Sequence, residues 1–466
     1  MNHERSPVAH YPRLMSVGST ILFFFLATLR HALFKSNAYD LGWFDQYVYL
    51  ISQGLPPVVS FWGYQEFHLL ADHAAIIFYP VALLYKIYPT VHWLFVIQAI
   101  ALGCGCWLTW RVSLQAGLSD RDGVMMAVVY LLYPLVFNVN IYGFHPEVIA
   151  IPGLLGAVWA ARTRKLVWFC GCIALILSCK AVLSLTVAAM GFWLFFFERR
   201  RIYGAIALFS GTGWFLVTTQ LIIPQFLGTE QDSVSRYGYL GDSVLEIALS
   251  LILKPDLIWG RILSLPTLEY LALLFVPIFW GLFPRYLAPL ISAMPAFMLN
   301  ILSNHFGQRT LIQHYAVPIF PFLILVLIAA RSGKKTWIRS RKIILAWSLL
   351  GFLLLGKAYF FGTLYLDSLD TWQANREAIA LIQTREPVMA PSQLIPYLTH
   401  RQIIKVPRPE TELEELENFK YILLDRRHPG FASSSETVTR LIDALDDNSQ
   451  FDRIYQRDEV FLYQRH

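Results

Sequence analysis

Long apolar runs separated by short polar or basic breaks fill most of this chain, and only the C-terminal part departs from that pattern. Runs at residues 14–34, 91–110, 123–141, 148–161, 166–179, 182–197, 202–223, 268–283, 286–301, 315–330 and 343–361 predict helices. A helix of about twenty apolar residues crosses a bilayer, so the pattern predicts about eleven spans. The first run follows Arg5 and Arg13 and lacks a small-residue cleavage site. It is therefore expected to stay in place as the first span.

The segment 73–88 is apolar enough to pass for another span, yet it contains Pro80 and is flanked by His73 and Lys86. If it crossed, the basic clusters Arg162/Arg164/Lys165, 198–201 and 331–342 could not share a side with the basic N-terminus. If it lies along the surface, all of them fall inside, as the positive-inside rule requires. An interfacial or re-entrant helix is expected there. The N-terminus is then cytoplasmic, and the segments 35–90, 142–147, 224–267 and 303–314 lie outside.

From Asp367 onward polarity rises, and short β-like runs at 387–390, 403–406 and 421–424 alternate with helical stretches. The expected architecture is an all-α polytopic transmembrane bundle over residues 1–361, with outer loops 35–90 and 224–267. A small soluble α/β domain, extracytoplasmic in this topology, follows over 362–466. The chain is expected in the plasma (inner) membrane.

Composition supports the same picture. The chain is 56% hydrophobic and 15% charged, whereas a soluble domain carries roughly a quarter charged residues. The bilayer is therefore its main partner. The 14 Trp, 23 Tyr and 33 Phe suit rings that anchor helix ends at headgroup level. Net charge is +6, but the excess sits in short clusters that orient helices, so nucleic acid is not an expected partner. Cys104, Cys106, Cys170, Cys172 and Cys179 all lie in apolar runs, which suggests neither a disulfide framework nor a zinc site. The C-terminal domain has no glycine-rich phosphate loop and no metal-ligand spacing. Its default role is to bind a partner protein or act as a lid.

Candidate chemistry gathers in the outer loops. The first contains Asp40-Leu-Gly-Trp-Phe-Asp45-Gln, then Glu66, His68, Asp72 and His73. Ionisable groups at a membrane face are costly unless used or solvated. On a helix starting near Trp43, Asp45 and Tyr49 share a face. Asp45 then suits either proton abstraction from an acceptor hydroxyl or plain helix capping, and spacing alone leaves both open.

The second outer loop, Tyr142-Gly-Phe-His145-Pro-Glu147, is short enough to hold His145 and Glu147 near the membrane surface. The helix dipole accounts for Glu147 more simply than catalysis does, but it does not account for His145. Lys180, Arg236, His305, Arg309 and His314 add cations or protonatable groups on the same side. Each alone is an ordinary snorkelling residue. Together they suit the phosphate of a lipid-linked donor. No cofactor is required by this set, and a divalent metal on the acids and histidines stays open as an alternative without any recognised ligand spacing.

On Tyr39-Asp40-Leu-Gly-Trp-Phe-Asp45-Gln, His73 with Pro80 and Leu84-Tyr85, Phe144-His145-Pro-Glu147, Lys180 and His314-Tyr315, the chain resembles the predicted membrane proteins grouped as domain of unknown function twenty-seventy-nine. The likeness runs through most of the chain. That family in turn is similar to membrane glycosyltransferases of the C-type fold, which use lipid-phosphate sugar donors and carry an acidic motif in the first outer loop. The resemblance implies a base or metal-ligand role for Asp45, less directly for Asp40, and a second acidic position at Glu147. Where relatives follow the lysine with two acidic residues, this chain has Lys180-Ala181-Val182, a departure that bears on substrate or activity.

The leading expectation is sugar transfer from a polyprenyl-phosphate donor on the outer face. Asp45, Asp40 and Glu147 are its catalytic candidates. His73, His145, Lys180, Arg236, His305, Arg309, His314 and Tyr315 are its substrate-binding candidates. A transporter or flippase of a lipid-linked or small anionic solute is the alternative, and a membrane scaffold is a third. Charges gathered at one face rather than deep within the spans argue for transfer.

Overall fold

The computed structural model describes residues 10–61, 67–226 and 235–466, apart from the side chain of Asp72. Glu66 and the Asp72 carboxylate, singled out above, thus lie outside the described part, as does 227–234 of the long outer loop. The chain forms two compact units. One comprises residues 1–24, 73–76 and 96–358, and the other 25–72, 77–95 and 359–466.

The first unit is helical, and residues 25–32, 92–95 and 359–366 of the helices that follow fall in the second. Helices Tyr11–Ala32, His92–Gln115 and Arg201–Phe226 are long and apolar enough to cross a membrane. Three further pairs reach that length only when each is taken as one bent element. Asp120–Leu132 with Pro134–Tyr142 turns by 42°, where Pro134 cannot donate to the helix ladder. Pro255–Ile262 with Leu265–Gly281 turns by 52°, and Arg341–Leu355 with Ala358–Leu366 by 49°.

Other predicted runs fold as shorter helices, among them Glu147–Arg162, Leu166–Cys179, Leu183–Phe196 and Phe320–Ser332. The run expected at 286–301 begins as a 3-10 turn, Ala288–Ala293, before helix Met294–Leu302. The difference from eleven straight spans has a simple cause: apolar content reports the solvent around a segment and says little about where its backbone bends. Leu14, Ile21, Phe25, Ile202 and Phe209 are each more than half exposed on the long helices. Water would penalise such rows, whereas lipid tails accept them.

Packing inside this unit relies on small residues. At Gly191 an added Cβ would stand 2.2 Å from Leu208 N, and at Gly211 2.5 Å from Ala188 N, so helices Leu183–Phe196 and Arg201–Val217 touch backbone to backbone. Gly211→Val is expected to cost about 1–3 kcal/mol by overpacking. Thermal unfolding of the purified protein in detergent measures it, and an unchanged Tm would refute the close approach. At one end of the unit, Asp122 binds Arg331 at 2.7 Å and Arg341 at 2.9 Å. Part of the basic cluster 331–342 therefore also ties helices together.

The second unit joins the first loop to the C-terminal residues. Helix Trp43–Ser52 packs on helix Phe78–Ile87, with Phe44 stacked on Phe78 at 5.3 Å. Ten residues rise only about 15 Å, half the hydrocarbon thickness. A two-stranded antiparallel ladder pairs Val58–Val59 with Phe67–His68.

The small C-terminal domain expected from the sequence is present as a five-stranded sheet in the order 404–405, 388–389, 421–425, 460–465, 451–457. The first three strands run parallel and the last two are antiparallel additions. Asp458 and Glu459, with φ of 49° and 66°, supply the two left-handed residues that a tight hairpin demands. Helix Ser435–Asp446 buries Val438, Leu441, Ile442 and Leu445 on one stripe against the sheet. The segment after this domain's first strand closes over the first loop. Gln46 Nε2 donates to Arg401 O at 2.9 Å, Ser60 Oγ to Ile404 O at 3.1 Å, and Ala38 N to Ser392 O at 2.9 Å.

Candidate functional site

Two groups of ionisable side chains stand out, one in each unit. The first is built on the N-terminus of helix Glu147–Arg162. Glu147 is 3% exposed, and its Oε1 accepts from Lys180 Nζ at 2.6 Å while His314 Nε2 stands 3.4 Å away. Lys180 is placed by geometry: it is the extended residue between helices Leu166–Cys179 and Leu183–Phe196. Directly after it, Ala181 N donates to His73 O at 3.0 Å, which brings the 73–76 segment alongside.

Gln98 holds the 142–147 loop from both sides, donating to Gly143 O at 2.9 Å and accepting from His145 N at 3.0 Å. The His145 ring stacks on His314 at 3.9 Å, and His314 leans on Tyr315 at 4.1 Å. Beyond them Arg236 bonds the Tyr315 hydroxyl at 3.1 Å, and His305 meets the Tyr315 ring edge-on at 5.9 Å. Asn300 accounts for this placement, because its amide donates to Tyr315 O at 3.1 Å.

Burial alone would raise the Glu147 carboxyl. Lys180 first, then the histidines, outweigh it and hold the carboxyl below the ordinary carboxylate range. His314 is driven the other way from a usual surface histidine: burial and the neighbouring His145 push its proton affinity well below the histidine range. Among the described residues, Glu147 Oε2 and both ring nitrogens of His314 are buried without a hydrogen-bond partner. A buried acid, a lysine and stacked histidines in an apolar unit are costly to keep unless they are used.

The sequence candidates therefore divide. His73, His145, Glu147, Lys180, His314, Tyr315, Arg236 and His305 form one continuous group. Arg309 stands apart from it, donating to Ile301 O at 3.2 Å and Ser303 O at 2.8 Å at the end of helix Met294–Leu302. That contact satisfies helix-end carbonyls.

Asp45 and Asp40 belong to the second unit. Asp40 is half-buried in the π-helical turn Ala38–Gly42. Asp45 does not cap its helix, since Gly42 occupies that position without a side-chain bond. Its Oδ1 accepts from the Tyr85 hydroxyl at 2.5 Å, and its Oδ2 accepts from the Thr399 hydroxyl and faces His400 Nε2 at 3.3 Å. Burial would raise this carboxyl too, and His400, Thr399 and Tyr85 together bring it below its ordinary value. Tyr49, on the same helix face as Asp45, stacks on His400 at 4.6 Å and 8°.

Thr399 and His400 were not singled out by the sequence reading, because a Thr-His pair in a polar segment carries no signal. A metal fits neither group well. The Lys180 ammonium already lies on Glu147, and no three His, Cys, Asp or Glu among the described residues are arranged to hold a metal ion.

The sequence profile of a family of predicted membrane proteins, DUF2079, matches residues 30–462. The chain belongs to the DUF2079 family. No curated protein matches this DUF2079 chain in sequence. Its fold is similar to that of ArnT from Cupriavidus metallidurans crystallised with undecaprenyl phosphate, with a TM-score of 0.55 at 12% identity over 98% of both chains. The apo form of that protein gives 0.50 at 11% identity, over 96% of the DUF2079 chain and 98% of the other. The DUF2079 chain thus has a polytopic membrane fold of the ArnT kind, carrying a small C-terminal sheet domain.

Proposed function

We propose that the protein transfers a sugar from a polyprenyl-phosphate donor to an acceptor at the outer face of the membrane. The observation that carries this reading is the buried Lys180–Glu147 pair with His145, His314 and His73 around it, in a chain whose fold matches ArnT from end to end. That protein was crystallised with a polyprenyl phosphate, the same chemistry that a partly exposed lysine backed by Arg236 and His305 would recognise.

Lys180 and Arg236 stabilise charge on the departing lipid phosphate, which is where such a site gains most of its rate. Glu147 fixes the direction of Lys180. The topology that goes with this reading is about eleven crossings, a cytoplasmic N-terminus and an extracytoplasmic C-terminal domain.

Lipid and glycan mass spectrometry of a deletion strain beside its parent is the direct test. One glycoform should vanish, wild-type protein should restore it, and Lys180→Ala should restore less than about a hundredth of it. Reconstituted vesicles in which a solute moves with no covalent product would replace transfer with transport.

A further inference from the structure

Asp45 is closed to any acceptor. The residue is 0% exposed, Tyr85 takes Oδ1, and Thr399 with His400 covers Oδ2. A base has to come within about 2.6–3.2 Å of the hydroxyl it deprotonates, and this carboxylate offers no open side.

His400 does. Its side chain is 31% exposed with Nε2 turned toward Asp45, and no described residue hydrogen-bonds its Nδ1. The ring is held in one orientation by Tyr49, stacked at 4.6 Å, and by Tyr85, edge-on at 6.0 Å. Arg385 lies over the Tyr49 ring at 5.5 Å.

We propose that His400 takes the proton of the acceptor hydroxyl, and that Asp45 is the positioning residue that fixes its tautomer with Nδ1 open. A carboxylate behind a partly exposed imidazole is the orienter and base of many proton-transfer sites. The simpler role, a clasp between the first loop and the C-terminal segment, is already filled by Gln46 on Arg401 O, Ser60 on Ile404 O and Thr399 on Asp45.

The inference rests on the transfer reading. In that reaction the acceptor O–H bond breaks and its proton passes to Nδ1, while the acceptor oxygen bonds to the anomeric carbon. The bond from that carbon to the phosphate oxygen breaks, and its electron pair leaves with the lipid phosphate.

Two measurements on the full-length protein in lipid nanodiscs test it. Diethyl pyrocarbonate followed by peptide mass spectrometry should acylate His400 in the wild type, at a rate several-fold lower in Asp45→Asn. An inert His400, or equal rates in the two proteins, overturns the dyad. Turnover on polyprenyl-phosphate sugars extracted from the host membrane should fall on the order of 100-fold in His400→Gln, with Tm unchanged, and free imidazole should restore part of it in His400→Ala. His400→Gln turnover within a few-fold of wild type rules the base role out. If the wild type itself transfers no sugar, the transfer reading fails, and the acylation rates still decide whether Asp45 and His400 work as a pair.

Discussion

Glu147→Ala is expected to cost about 3–5 kcal/mol of stability, because it strands the Lys180 charge beside His314 in a largely buried setting. Removing the lysine as well should return much of that loss, since the double variant Glu147→Ala/Lys180→Met leaves no unpaired charge. Thermal unfolding of the single and double variants measures the coupling. Additive losses, or a single-variant cost below about 1 kcal/mol, would mean that the pair is solvated and contributes little.

A second large effect concerns acid. Glu147 and Asp45 have folded-state proton affinities below their ordinary values. Their contribution to stability is therefore present above about pH 4.5 and disappears as pH falls through the folded values. His314 is also depressed, so the unfolded chain takes up a proton near pH 6.5 that the folded chain refuses. Stability is lost on the acid side of that point too. Tm should be flat from about pH 7 to 8, decline below about 6.5, and decline again below about 4.5. His314→Phe, which preserves the stack on His145, should shrink the first decline. A Tm that rises between pH 7 and 5 would contradict the sign for His314, and one that rises below about pH 4.5 would contradict it for Glu147 and Asp45.

Much of the first unit was legible because its ionisable residues interrupt an apolar text. Glu147, Lys180, His145 and His314 each sit at the end of a long hydrophobic run, where a charge is conspicuous, and the structure brings them together. The helix ends at 166 and 179 coincide with the sequence reading for the same reason, and the end at 162 lies one residue past the 161 expected. Bends were less visible. Pro134 marks one, and the break after Leu355 falls at Gly356-Lys357, which the apolar run 343–361 passes straight through in the sequence reading.

In the second unit the limit was different. Thr399 and His400 lie in a polar stretch where such residues are ordinary, and only the fold brings them beside a carboxylate 354 positions earlier in the case of Thr399. The capping alternative for Asp45 looked plausible locally, and it failed because long-range donors offered that carboxylate more than its own helix could.

That separation sets an order of events during synthesis. Asp45 emerges from the ribosome early, but Thr399 and His400 follow only when the protein is almost finished. Until then Tyr85 and water are what the carboxylate has for partners. A polypeptide cut short before Thr399 has its greasy helices complete and this acid left with Tyr85 but without its two C-terminal partners.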